Sequence, residues 1–302
     1  MAQYVQSHRY QSGVALLQVL LISAVISLLA IRFTQTARDQ IEMAHDFDQR
    51  IRAQMAARSV FNELLMIQVS TNLTQLVGNS EIPPLAANRA KLNRYGEEVR
   101  WRNGILVGIQ DLNGLLPRLY PRYFLWRILL EQQSVDSEDI DRYLGIWSDL
   151  QDTDTSSWIS GEEEPATLNG LTRYPNRIAQ TDSLLKFAFL DDPKISKKLL
   201  SHSTSYPSID VNLFNVPASL LHDMFGPDLA SNIQRVRSES DFSEDEMRSI
   251  LPLEYRDERL STMNSTALKI TVSVPLSRGR WIESWSVRLT PGSVKPFFEI
   301  VD

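Results

Sequence analysis

The chain has 302 residues, 43% of them hydrophobic and 23% charged, which suits one large core or two modest ones rather than a disordered chain. A formal net charge of −6 argues against a dedicated nucleic-acid binder, which needs a basic face. With no cysteine there are neither disulfides nor thiolate metal sites, and four scattered histidines (His8, His45, His202 and His222) do not make a zinc site.

The first element is apolar. Val14 to Ile31 contains no charge, proline or glycine, close to the lower limit of the about 20 residues that a membrane-spanning helix requires. A signal peptide would have a shorter apolar region and a small-residue cleavage site. Here the run continues into "RFTQTARDQIEMAHDF", still helical in character and without an A-x-A-like site, so a membrane anchor is expected. Arg9 precedes the run and Arg32 and Arg38 follow it, so charge alone does not orient the anchor. Gln18 is its one amide.

No glycine or proline occurs from Val14 to Val77; Gly78, Pro83 and Pro84 then end the pattern. Phe33, Ala37, Ile41, Ala44, Phe47, Ile51 and Met55 recur at helical spacing, and Val60, Leu64 and Ile67 carry the stripe on after a small drift. The other side is polar: Arg38, Asp39, Gln40, Glu42, Asp46, Asp48, Arg50 and Arg52. A continuous helix would be on the order of 90 Å long; an anchor followed by a separate amphipathic helix is the alternative.

Strands follow. "EEVRWRNGILVGIQD" alternates on both sides of Asn103-Gly104, a dipeptide that favours a type I′ turn. Near the other end, "ALKITVSV" puts Leu268, Ile270, Val272 and Val274 on one face. "RWIESWSVRL" answers with Trp281, Trp285, Val287 and Leu289 across Pro275 to Gly279. Two such hairpins make an antiparallel sheet with one face to bury, and the stripe of the long helix is the expected cover. Between them, "RYFLWRILLEQQ", "SEDIDRYLGIWSDL", "PASLLHDMFG" and "PDLASNIQRVRS" read as helices, with Pro217 and Pro227 near helix starts. "DLQDTDTSSWISGEEEPATLNG" is the longest loop, and His202 in "SHSTSYPS" reads as loop with no acid placed beside it.

Enzymatic signatures are missing. No G-x-S-x-G, H-E-x-x-H, P-loop or Rossmann fingerprint occurs, and pairs such as Asp136 with Glu138 or Asp139 are ordinary helix-start acids. The segment from Ile209 to Ile250 has the outline of a DNA-gripping helical hairpin, but it holds eight acids against Arg235, Arg237 and Arg248, a surface that repels phosphates. The aspartates Asp149, Asp152 and Asp154 stand beside Glu162, Glu163 and Glu164; such hard oxygens suit calcium, though not at EF-hand spacing, and a solvated acidic loop is the other reading.

In this order the features resemble the type II secretion minor pseudopilin K family. Gly13 matches the residue before the prepilin peptidase cut and Val14 the new amino terminus. Asp149, Asp152 and Asp154 fit the family's D-W-x-D-x-D with Leu150 in place of tryptophan. Pro175, Asn176, Arg177, Asp182 and Ser183 resemble the segment that follows. Ile209, Asp210, Val211, Asn212, Pro217, Ala218, Leu220 and Leu221 resemble the I-N-V-N-x-x-P-A-x-x-L stretch, with longer spacing before the proline.

The resemblance implies an α+β, pilin-like fold: a long N-terminal helix packed on a small antiparallel sheet, with a large, mostly helical domain inserted between the sheet hairpins. Its parts would be a leader (1–13), the transmembrane part (14–32) and the periplasmic part (33–78) of the helix, a sheet domain (79–114 and 264–302) and an insertion (115–263). It implies a non-enzymatic subunit at the tip of a type II secretion pseudopilus, cleaved after Gly13 and methylated on Val14. The anchor would cross the inner membrane once, with the C-terminal domain in the periplasm. Implied partners are minor pseudopilins I and J, prepilin peptidase, other pseudopilins and the inner-membrane secretion platform, with no nucleic acid. Calcium on Asp149, Asp152 and Asp154 is implied; no other cofactor is expected. Most pilins carry glutamate at the position of Gln18, where it neutralises a neighbour's amine, and a tip subunit has no neighbour above it. A minor pilin of a related type IV pilus-like machine, or a membrane-anchored periplasmic binding protein, is the alternative.

Overall fold

The computed structural model describes residues 11–70, 92–119, 123–149, 151, 192–207, 211–238, 249–253, 256, 260–261, 264–289 and 298–300. The chain forms two compact units, one ending at Met55 and the other beginning at Ala56. Helix α1 (Gln11–Ser70) runs through that boundary, so the sequence from the apolar run onward is one helix rather than two.

In the first unit, every described side chain from Val14 to Thr36 is exposed. Nothing polar interrupts the backbone ladder: Ser23, Ser27, Thr34 and Thr36 return their hydroxyls to carbonyls three or four residues earlier. It is the one helix among the described residues long and apolar enough to cross a membrane.

The second unit is built on a five-stranded sheet in the order β1-β2-β7-β8-β9, antiparallel throughout. Its strands are β1 (Val99–Arg100), β2 (Leu106–Asp111), β7 (Ala267–Pro275), β8 (Arg280–Leu289) and β9 (Phe298–Ile300). The first hairpin turns where the sequence predicts. Asn103 and Gly104 have φ of 51° and 73°, as a type I′ turn demands, and the Ile105 N–H donates to the Arg102 carbonyl at 2.9 Å. The two hairpins then join through β2 and β7; register lines up the apolar row Ile109 beside Ile270 beside Trp285, and sets Asp111 beside Leu268 beside Val287. Strand β9 lies beyond the hairpins seen in the sequence.

The last part of α1 covers this face. Ala57, Val60, Phe61, Leu64, Leu65 and Gln68 are buried, alternating by three and one along a single stripe. Glu63 pairs with Arg102 at 2.8 Å, and Gln68 accepts from Arg94 at 3.0 Å. The predicted stripe divides in two: Val60 and Leu64, which carry it on, are buried, whereas Phe33 (77%), Ile41 (71%) and Met55 (68%) are exposed. The period of 3.6 drifts against a 3- and 4-residue count, so the row from Phe33 to Met55 and the row through Val60 and Leu64 do not share one face.

The insertion between β2 and β7 has its own core. Helices α2 (Tyr123–Gln132), α3 (Ser137–Asp149), α4 (Pro193–His202) and α5 (Ala218–Ser238) lie here, α2 packing on both α3 and α5. Trp126, Leu129, Trp147, Leu221, Met224 and Ile233 fill the centre. The indoles of Trp126 and Trp147 donate at 3.2 Å to the carbonyls of Pro117 and Arg118, fixing the helices to the strand β3 (Leu116–Pro117). Short parallel pairs join β3 to β4 (Ser203–Thr204) and β5 (Val211–Asn212) to β6 (Leu260–Ser261). Helix α5 breaks at Gly226 (φ 75°, ψ 173°), a conformation natural only to glycine, and Pro227 opens its second half. The two helices read from the sequence are these halves.

Candidate functional site

Two regions concentrate functional chemistry: the start of α1, and the junction where the insertion leaves the sheet. Gly13 and Val14 lie in the first turn of α1, with Val14 exposed. Gln18 is exposed one turn further on, within an apolar surface that includes Leu16, Leu17, Val19 and Leu21.

At the junction the polar groups are buried and matched. Asp111, at the end of β2, caps a short 3₁₀ turn (Leu112–Gly114), Oδ1 accepting from the Asn113 N–H at 2.9 Å. A second 3₁₀ turn (Leu213–Asn215) is capped the same way by Asn212. The Asn215 amide uses both hydrogens, donating to Asp111 Oδ2 at 2.8 Å and Asn264 Oδ1 at 2.7 Å. That of Gln110 donates to the carbonyls of Asp111 and Asn215, at 2.7 and 2.8 Å. Ser265, just before β7, gives its N–H to Asp111 Oδ2 at 2.9 Å. Entry strand, exit strand and the loop before α5 thus meet on one carboxyl group.

Arg237 closes the same region from α5. Its Nη2 donates to the Leu213 carbonyl at 2.8 Å and its guanidinium lies 4.9 Å over the Tyr95 ring. Burial pushes the Arg237 pKa down to about 10 against the pull of Tyr95 and Glu97, so it stays charged at neutral pH. Burial likewise raises the Tyr95 hydroxyl, with Glu97 adding to the rise.

A further cluster joins α4, α5 and the turn after α2. His202 Nε2 lies 2.8 Å from Asp223 Oδ2; Lys198 reaches Asp223 Oδ1 at 2.9 Å and donates to Gln133 Oε1 at 2.6 Å. The loop reading of His202 is corrected here: it is the last residue of α4, and Asp223 supplies the missing acid from 21 residues away. Helix α4 itself went unread, although Asp192 caps it through the N–H groups of Lys194 and Ile195 and Pro193 opens it.

Of the three predicted calcium ligands, Asp149 is the buried last residue of α3; Asp152 and Asp154 lie outside the described residues. Among the described residues no group of three His, Cys, Asp or Glu gathers in a metal-holding arrangement.

No family model and no curated protein matches the chain. A solved structure does: a chain of the GspK-GspI-GspJ complex from the type 2 secretion system of enterotoxigenic Escherichia coli superposes with a TM-score of 0.58 at 14% identity, covering 87% of this chain and 97% of that one. The two chains share an α+β, pilin-like fold. At 14% identity the likeness speaks to the fold, and the fold includes the insertion, since a bare helix and sheet would leave about half of this chain uncovered.

Proposed function

We propose that this chain is a minor pseudopilin, a non-enzymatic subunit that starts and caps a type II secretion pseudopilus and so supports export of folded proteins across an outer membrane. The observation that carries the reading is the superposition over 87% of the chain on a member of a pseudopilin complex. On this reading the apolar start of α1 holds the precursor in the inner membrane with the second unit in the periplasm. Prepilin peptidase cuts after Gly13 and methylates Val14, and α1 then packs into a bundle with other pseudopilin helices, with minor pseudopilins I and J and the inner-membrane secretion platform as partners.

Gln18 supports a position at the tip. A carboxylate in the apolar run would cost about 2.5–3.5 kcal/mol without a partner, and an uncharged amide avoids that cost where no subunit sits above. The bulk of the insertion acts in the same direction, because it obstructs stacking of another subunit. Labelled protein found along the shaft would overturn the tip assignment.

Calcium fits one feature of the insertion. Asp149 places a buried side chain at the C-terminal end of α3, three residues before Asp152 and five before Asp154. A divalent cation held by these three aspartates would have the hard oxygen ligands it takes. A rise in melting temperature on adding calcium, abolished by Asp149→Asn with Asp152→Asn and Asp154→Asn, is expected; no rise overturns the assignment.

The deciding experiment is mass spectrometry of the N-terminus after extraction from membranes. A mature chain beginning with N-methylated Val14 is expected, and an intact Met1 terminus would remove the reading.

A further inference from the structure

We propose that Asp111 is protonated in the folded chain at neutral pH and that this proton latches the helical insertion to the sheet. Ser265 Oγ lies 2.5 Å from Asp111 Oδ1, 2.7 Å from the Ala267 carbonyl oxygen and 3.0 Å from the Ala267 nitrogen. The Ala267 N–H donates to the hydroxyl, leaving one hydroxyl proton to serve two oxygen acceptors. If Asp111 were ionised, one of the two short O···O contacts would hold no proton, a repulsive arrangement in a site closed to water.

A proton on Asp111 Oδ1 removes the conflict. Asp111 donates to Ser265 Oγ, and Ser265 donates to the Ala267 carbonyl. The remaining contacts agree: Oδ2 accepts from the Ser265 N–H and the Asn215 amide, and Oδ1 still accepts from the Asn113 N–H. Every neighbour then has a distinct role.

The charges around the site leave the carboxyl weakly countered. Asp111 is fully buried. The charge coupled to it is Arg94, on the segment before β1, whose Nη2 is already given to Gln68 of α1. From α5, Arg237 is turned to Tyr95 and the Leu213 carbonyl, and Glu97 acts on that pair. The 3₁₀ turns and the segment before β7 present amides and hydroxyls. Burial pushes the Asp111 carboxyl above its ordinary range, against the opposing pull of the Ser265 and Asn113 hydrogen bonds and of Arg94.

The linkage has a definite sign. A carboxyl whose folded pKa is raised keeps its proton while the unfolded chain loses one, so stability falls as pH rises from about 4 to the folded pKa. The latch is therefore firm in acid and loosens in alkali. It ties three segments far apart in sequence, so its loosening acts on the attachment of the insertion rather than on either core.

The test uses the full chain in detergent micelles with carbon-13 in its aspartate carboxyl groups. Near neutral pH, infrared spectroscopy should show an isotope-shifted band of a protonated aspartate, absent from Asp111→Asn; a wild-type spectrum with ionised aspartates only overturns the proposal, whether or not the variant folds. In parallel, the wild-type melting temperature should fall relative to that of Asp111→Asn as pH rises from about 5 to about 9. An unchanging difference overturns the latch. Neither readout depends on the chain being a pseudopilin.

Discussion

Phe61 and Trp285 meet ring to ring, their centroids 4.5 Å apart and their planes tilted by 33°. The pair joins the buried stripe of α1 to the centre of the sheet, in the row that Trp285 shares with Ile270 and Ile109. Replacing Phe61 with alanine removes a buried ring and its aromatic partner, a loss of about 3 kcal/mol or more for a site that cannot collapse. Denaturant unfolding of the full chain in detergent, followed by tryptophan fluorescence, should show it. A loss below about 1 kcal/mol would mean that the ring pair does not hold the helix to the sheet.

Two glycines should respond for different reasons. A β-carbon on Gly114 would come 2.1 Å from the Asn215 carbonyl oxygen, an impossible contact with backbone that is itself tied to Gln110. Gly114→Ala must therefore push the two 3₁₀ turns apart, and a reduced yield of folded protein or a loss of about 3 kcal/mol is expected. At Gly226 the same β-carbon would meet nothing within 4 Å, and only the positive φ opposes it. Gly226→Ala should cost about 1–3 kcal/mol with no change in packing, readable as a lowered melting temperature with unchanged near-ultraviolet circular dichroism.

What the sequence revealed followed from how local each signal was. Asn103-Gly104 and the alternation of Leu268, Ile270 and Val272 are short-range patterns, and both hairpins formed as read. The break at Gly226-Pro227 was equally local. The junction was not. Asp111, Asn215 and Ser265 are 104 and 154 residues apart in their hydrogen bonds, and each alone looks like an ordinary turn residue. The pairings β3-β4 and β5-β6 are two residues long and carry no periodicity. The exposed row from Phe33 to Met55 was legible as apolar, but its period did not say what covers it.

Asp223 predicts the acid limit of the fold. Burial alone would raise its carboxyl; the hydrogen bonds and charges of Lys198 and His202 outweigh that and hold it below its ordinary value. A depressed carboxyl contributes stability that is present above the unfolded pKa of about 3.9 and is lost as pH falls through the folded value. The wild-type melting temperature should thus drop steeply below about pH 4, and Asp223→Asn should be less stable at neutral pH but converge on wild type in acid. Parallel curves would show that the cluster does not act through this charge. The sign is opposite to that expected of Asp111, so the two carboxyls separate cleanly in one titration series.

The apolar row that follows Ile31 yields the last expectation. Phe33, Ile41, Phe47 and Met55 are exposed in the chain on its own, and removing an exposed ring changes folded stability by no more than about 0.5 kcal/mol. A soluble protein gains nothing by displaying such a row, whereas a subunit whose helix packs among others buries it on assembly. On the proposed function, Phe47→Ala should therefore melt as wild type does, yet recover less of the pseudopilins proposed as partners when purified from membranes. Phe61→Ala should do the reverse in the first measurement, because its ring is already covered within the chain. If Phe47→Ala retained its partners in full, the row would serve something other than helix packing, and the assembly reading would lose its second support.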